Sequence, residues 1–193
     1  MGANIFVRPT AEQLKNEITR LKTRKEKLKS IRTAIGVLLV SAAFAVLICM
    51  LWLPIYEIQQ GSMEPTLWDG DLVIFMSGGE IRRGDIIAFH YNNQILIKRV
   101  IAVGGEEVDI TPDGTVIIDG KELEEPYLNT RYLNENSIKL PYKVPDEKYF
   151  VAGDNRLLST DSRMEVIGAV AEEQISGKAV LRVWPLSRIG YIN

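Results

Sequence analysis

One cysteine and one histidine stand in 193 residues, and that scarcity removes several classes of function. A disulfide scaffold needs paired thiols, and Cys49 has no second thiol to pair with. Cys49 and His90 together cannot supply the four nitrogen or sulfur ligands of a structural zinc site. Any histidine-based triad would have to be built on His90. Internal repeats are also lacking. With 46% hydrophobic and 25% charged residues the chain is too apolar to be disordered. Its length permits one domain with a small annex.

Charge is absent from one long stretch. Residues 33–56 form a run of 24 without a charged side chain. As a helix this run reaches about 36 Å, enough for a hydrocarbon core of about 30 Å. A cleaved signal peptide would have a shorter apolar region ending at small residues, whereas this one ends Leu51-Trp52-Leu53-Pro54-Ile55-Tyr56. A globular core helix is seldom apolar on every face for so long. The run is therefore read as one retained transmembrane helix, residues 33–56. Residues 1–32 carry nine Lys or Arg against three Glu, and residues 33–193 carry fourteen basic against twenty-two acidic side chains. The positive-inside rule then makes 1–32 a cytoplasmic tail and 57–193 an extracytoplasmic domain. Trp52 and Tyr56 suit the outer headgroup belt. Cys49 falls inside the lipid as a packing residue, so the exposed domain folds without disulfides.

The tail is read as helical. Thr10 and Gln13 fit a capping box, and Leu14, Ile18, Leu21, Leu28 and Ile31 keep a 3–4 spacing that Lys25 interrupts. A charged helix lying at the membrane surface is preferred to a coiled coil. Beyond Tyr56, short alternating runs predict strands at 72–76, 85–91, 94–103, 108–110, 116–118, 148–152, 166–170 and 175–183. Pro112-Asp113-Gly114, Asp119-Gly120 and Tyr91-Asn92-Asn93-Gln94 are the turns between them. Many short strands and no long helical period predict a mostly β, antiparallel, barrel-like domain. Its turn-rich stretch at about 105–145 reads as a small inserted β-rich cap.

The chemistry starts in Gln60-Gly61-Ser62-Met63-Glu64-Pro65-Thr66-Leu67. A nucleophilic serine needs a base. His90 sits at a strand end, where a half-exposed side chain is the plainer reading. Lys98 is the other candidate: period 2 puts it on the face of Leu96, Val100 and Ala102. An ammonium on an apolar face loses hydration, which lowers its pKa from about 10.4, and a lysine tuned to roughly 7–8 can act as general base. From the strand alone, a lysine snorkelling to water is the plainer reading, since surface lysines are far commoner. A third cluster, Gly153-Asp154-Asn155-Arg156-Leu157-Leu158-Ser159-Thr160-Asp161-Ser162-Arg163, brings paired charges and hydroxyls. A neutral lysine needs a hydrogen-bond donor to orient its lone pair, and one of those hydroxyls can supply it. A solvated loop with incidental ion pairs is the bland alternative.

Together these blocks, with Gly70-Asp71, Lys98-Arg99-Val100-Ile101-Ala102-Val103-Gly104-Gly105 and Arg182-Val183-Trp184-Pro185-Leu186-Ser187-Arg188-Ile189-Gly190, resemble the type I signal peptidases. Those are membrane-bound bacterial enzymes that remove signal peptides. The resemblance implies a β-rich catalytic core with a variable second domain inserted before the Gly-Asp-Asn-Arg block. It implies Ser62 as nucleophile and Lys98 as general base, acting through an acyl-enzyme. Ser159 would hold Lys98 by a hydrogen bond, and Asp161, Arg163, Asp154 and Arg156 would brace the site. Tyr56, Ile58, Met63, Leu67, Leu96 and Ile97 would line shallow pockets for small residues, as in Ala-x-Ala. Implied partners are secreted preproteins and the lipid bilayer, with the secretion translocon a candidate and no nucleic acid. No metal or organic cofactor is expected.

Two departures stand out. Gln60 occupies a place where many members carry a serine that helps bind the oxyanion; the Ser62 backbone N–H remains a donor and Gln60 is the candidate second one. Leu157-Leu158 replace a frequently polar pair. The alternative reading is a signal-peptidase-like factor for pilin or precursor assembly, with little peptidase activity, although such relatives tend to lose the dyad kept here. A self-cleaving repressor of the SOS type predicts a DNA-binding module and no span.

Overall fold

The computed structural model describes residues 10–131 and 137–192, apart from the side chains of residues 48–52. The placements expected for Cys49 and Trp52, and parts of the 1–32 and 105–145 stretches, lie outside that description. The chain divides into two compact units, residues 1–49 and 50–193.

The first unit is built on α1, Ala11–Trp52. Thr10 and Gln13 cap it reciprocally: Gln13 Oε1 accepts from the Thr10 N–H (3.0 Å) and Thr10 Oγ1 from the Gln13 N–H (3.4 Å). No break separates the charged turns from the apolar ones, and the stripe from Leu14 to Ile31 is exposed. The apolar part is long enough to cross a membrane and none of it is buried. Its hydroxyls are satisfied within the helix, Ser41 Oγ donating to Leu38 O at 2.9 Å, as a spanning segment requires. The helix ends at Trp52, earlier than the expected span. Pro54 has no N–H to continue it and disfavours helical geometry at Leu53. Ile55 and Tyr56 are strand residues instead, and Tyr56 packs on Phe75, ring centroids 5.4 Å apart.

The second unit is two antiparallel sheets. The larger contains β1 (Ile55–Glu57), β2 (Leu72–Met76), β3 (Ile86–Tyr91), β4 (Gln94–Val103), β9 (Lys148–Ala152), β10 (Val170–Ala171), β11 (Ile175–Trp184) and β12 (Gly190–Tyr191). Its pairing order is β1-β2-β11-β3-β4-β9-β10, with β12 on β11. Among the described residues no pair joins β1 to β10, so the sheet is open rather than a closed barrel. The smaller sheet runs β7-β6-β5-β8, from β5 (Glu107–Ile110), β6 (Val116–Ile118), β7 (Lys121–Glu122) and β8 (Tyr142–Lys143). The hairpins turn on left-handed residues, Asn92 (φ 44°) and Asn93 (φ 65°) between β3 and β4, and Asp119 (φ 48°) and Gly120 (φ 75°) between β6 and β7. Such paired positive φ values match the twist of a two-residue hairpin.

Both faces of the larger sheet are covered. Ile86 and Ala88 join one core with Ile58, Met63, Leu67, Val73 and Phe75, while their neighbours Ile87 and Phe89 join another with Val100, Val151 and Val170. A third core ties Ile101, Ala102 and Phe150 to Val108, Ile110, Val116 and Ile118 of the smaller sheet. A bulge between Val100 and Ala102 breaks the strict alternation, so Ala102 leaves the face shared by Leu96 and Val100. The strand expected at 166–170 shrinks to Val170–Ala171. Ile167 and Gly168 both donate to Met164 O at 3.0 Å, a turn that competes with extended pairing.

Candidate active site

The loop from Ile58 to Asp71 presents the serine. Two backbone bonds close it, Ile58 N–H to Asp71 O (2.8 Å) and Gly70 N–H to Ile58 O (2.9 Å). The chain reverses at Gln60 (φ 72°) and Gly61 (φ 58°). The Gln60 N–H is held by Asp69 Oδ1 at 2.9 Å. A left-handed glutamine is locally costly, and here it aims the next residue but one into a cleft. Buried Met63, Leu67 and Ile58 anchor the turn from below.

Lys98 reaches the serine from β4, its Nζ 2.7 Å from Ser62 Oγ. Only 4% of Lys98 is exposed. Its pKa is lowered to about 8: burial is the largest cause, the Asp161 carboxylate opposes it, the Arg163 guanidinium adds to it, and Asp154 opposes it. The amine is thus charged at no great advantage near neutral pH, as a general base must be. His90 is exposed at the end of β3.

The 153–163 loop braces this pair from behind. The Asn155 N–H donates to Ser62 O at 3.0 Å. Gly153 lies so close that an added Cβ would meet Ser62 O at 2.5 Å and Ser159 Oγ at 2.3 Å, so no larger residue fits. Asp161 takes two bonds from Arg163, at 2.7 and 2.9 Å, and one from the Gly153 N–H at 2.9 Å. Burial alone would raise the Asp161 carboxyl; Arg163 and the Gly153 N–H outweigh it and hold it below the ordinary carboxylate range. The Ser159 hydroxyl reaches hydrogen-bonding geometry with no group among the described residues. The bond from Ser159 to Lys98 that the resemblance implies is not formed in this structure.

Asp154 and Arg156, though close in sequence, do not pair with each other. Asp154 takes Arg99 in a two-pronged bond, 2.9 and 2.8 Å, and accepts from Thr66 Oγ1 at 2.5 Å. Arg156 pairs with Glu125 and donates to Gly153 O at 3.0 Å. Sequence reasoning left Arg99, Thr66 and Glu125 unassigned; an arginine directly after the candidate base on a buried strand was the one available signal.

Ser62 and Lys98 open onto a cleft of about 710 Å³, whose walls include Tyr56, Ile58, Met63, Leu96 and Ile97. Leu67 does not line it: its N–H bonds Met63 O at 2.9 Å, and that turn sends the side chain into the core, where it is fully buried. Gln60 lies on the cleft wall with its side chain exposed. Among the described residues the Ser62 N–H has no protein acceptor. β9 pairs with β4 only from Arg99 onward, and β1 pairs only with β2. Residues 94–98 therefore present an unpaired strand edge beside Lys98, the feature by which an extended peptide is bound through its main chain. No cluster of His, Cys, Asp and Glu among the described residues is arranged to hold a metal.

Residues 31–184 match the family model described as signal peptidase, peptidase S26. A signal peptidase IB from Staphylococcus aureus (strain MRSA252) is 36% identical over 156 residues, 70% of this chain and 80% of that protein. A signal peptidase I from Bacillus amyloliquefaciens is 37% identical over 161 residues, 77% and 82% of the two chains. Among solved structures, a signal peptidase I from Enterococcus faecalis V583 aligns with 36% identity and a TM-score of 0.45, over 53% of this chain and 98% of that one.

Proposed function

Because the chain belongs to the signal peptidase family, peptidase S26, we propose that it is a membrane-anchored endopeptidase that removes N-terminal signal peptides from secreted preproteins, with Ser62 as nucleophile and Lys98 as general base. The observation that carries this reading is the buried Lys98 amine, 2.7 Å from Ser62 Oγ beside an open strand edge.

The substrate's extended segment pairs with residues 94–98 and sets its scissile carbonyl over Ser62. Neutral Lys98 takes the Ser62 proton as Oγ bonds to the carbonyl carbon. The oxyanion formed accepts from the Ser62 N–H, with the Gln60 side chain the candidate second donor. Collapse breaks the C–N bond, and the Lys98 ammonium gives its proton to the leaving amine. Lys98, neutral again, draws a proton from water, which attacks the acyl carbon; the same proton returns to Ser62 Oγ as the signal peptide leaves. Asp161 and Arg163 hold the loop behind the pair. Buried Met63 and Ile58 give the cleft an apolar wall, the kind of surface that suits small apolar side chains such as those of Ala-x-Ala ends.

The test is cleavage of a preprotein by the full chain in detergent or vesicles. Ser62→Ala and Lys98→Ala should each lower the rate by about 1,000-fold or more. Undiminished cleavage by both variants would refute the assignment, and a wild type that leaves several preproteins intact would favour an assembly factor.

A further inference from the structure

Two side chains of the segment between β7 and β8 reach the back of the site and take no part in the steps above. Glu125 is buried, its side chain 1% exposed, and both of its oxygens face Arg156, one at 3.3 Å. The Tyr127 hydroxyl donates to Glu125 Oε1 at 2.8 Å. The Tyr127 ring lies against the Arg99 guanidinium, 4.1 Å from its centroid. Burial first, and then the Glu125 charge, raise the Tyr127 phenol far above its usual range, so it remains a donor.

Each arginine then meets the frame of the Ser62–Lys98 pair. Arg156 Nε bonds Gly153 O at 3.0 Å, and Gly153 is the residue packed on the Ser62 carbonyl. Arg99 follows Lys98 on β4 and fixes Asp154 and, at 3.3 Å, Thr66 of the serine loop. A guanidinium carries five donors in a rigid plane. Once buried, it shifts toward its remaining contacts when a group that seats it, a carboxylate for Arg156 or the Tyr127 ring for Arg99, is removed. For Arg156 that would pull on Gly153; for Arg99 it would pull on β4 at the base.

We propose that Glu125 and Tyr127 are positioning residues for the Ser62–Lys98 pair, Glu125 by fixing Arg156 against Gly153 behind the serine and Tyr127 by seating Arg99 beside the lysine. The inference rests on the Ser62–Lys98 reading given above. It makes Glu125 and Tyr127 part of the machinery, although neither lines the cleft. Misplacing a nucleophile by about 1 Å can cost about 100-fold in rate, so small rotations of these arginines are enough to matter.

The experiment compares wild type, Glu125→Gln, Tyr127→Leu and Tyr127→Phe in the full chain, with exposed Glu124→Gln as control. Two quantities are read below the melting temperature of each variant: kcat and KM on a preprotein, and the rate and final extent of Ser62 labelling by a small serine-directed acylating reagent. Glu125→Gln and Tyr127→Leu should lower kcat by about tenfold or more with KM changed less than about twofold. The labelling rate should fall in parallel while the final labelled fraction stays that of wild type. Tyr127→Phe keeps the ring and should fall between, and it decides the matter alone if the other two fail to fold. Wild-type kcat and labelling rates in the folded variants would overturn the proposal. So would a smaller labelled fraction reacting at the wild-type rate, the signature of a purely structural role. If wild type labels at Ser62 yet leaves preproteins uncut, the substrate reading fails while the labelling rates still decide this one.

Discussion

Lys98 has to satisfy two demands that oppose each other. The proposed role as general base needs the amine neutral, and folding would prefer no amine in that place. Because burial brings the pKa to about 8, the neutral fraction falls tenfold for each pH unit below that value. The acid limb of kcat/KM should therefore have unit slope and a midpoint near pH 8, measured on a signal-peptide substrate; a midpoint well below that value would mean that Lys98 is not the base. Stability carries the complementary sign. Between about pH 8 and 10.5 the unfolded chain holds a proton that folded Lys98 has lost, so stability rises with pH through that window. At or below pH 8 the cost is complete, about 3 kcal/mol from the drop from 10.5 to about 8. Lys98→Met should thus be inactive yet melt several degrees higher at pH 7. Thermal scans should show that advantage shrinking toward pH 10.5; a constant gap, or none at pH 7, would mean the amine reaches water in the folded state.

At the scale of elements, the site depends on β4 and on the loop that follows β9. β4 delivers Lys98 to the serine and Arg99 to Asp154, one residue for the proposed chemistry and the next for structure. The Arg99–Asp154 pair is almost wholly enclosed, with side chains 3% and 0% exposed. Asp154→Asn leaves a buried guanidinium without its counter-charge, which should cost about 3–5 kcal/mol. Urea titration should show the midpoint falling with an unchanged slope, whereas Arg82→Ala, at the exposed pair with Glu80, should leave the midpoint in place. These pairings also mark where the sequence stops being legible. Strong alternation identified the strands at 72–76, 94–103 and 148–152 to the residue. At 166–170 apolar content suggested a strand, but local turn bonds to Met164 won. Apolarity likewise carried the expected span past Pro54, where backbone chemistry ends the helix. Ser62 and Lys98 were visible because motif and periodicity are local. Which arginine meets which carboxylate was not: Glu125 and Arg156 lie 31 residues apart, and only the folded chain brings them together.

On the scale of the whole chain the governing quantity is the uneven distribution of charge. Nine basic side chains against three acidic ones precede the apolar run, and acidic residues outnumber basic ones after it. Retaining Lys and Arg on the cytoplasmic side is the strongest determinant of how a single span inserts. The acidic excess of residues 57–193 contributes little to that choice, since the rule counts positive charges near the span rather than net charge. The lone thiol makes orientation measurable. In a Cys49→Ala background, cysteines at exposed positions Ser30 and Asn129 report the two sides separately. A membrane-impermeant maleimide applied to intact cells should label Asn129→Cys and spare Ser30→Cys until the membrane is opened. Replacing Arg24, Lys25, Lys27, Lys29 and Arg32 by glutamine removes most of the bias and should give a mixed pattern. Equal labelling at both positions in the unaltered tail would show that something other than these charges sets the topology, and labelling of Ser30→Cys alone would place the serine and its lysine on the cytoplasmic side.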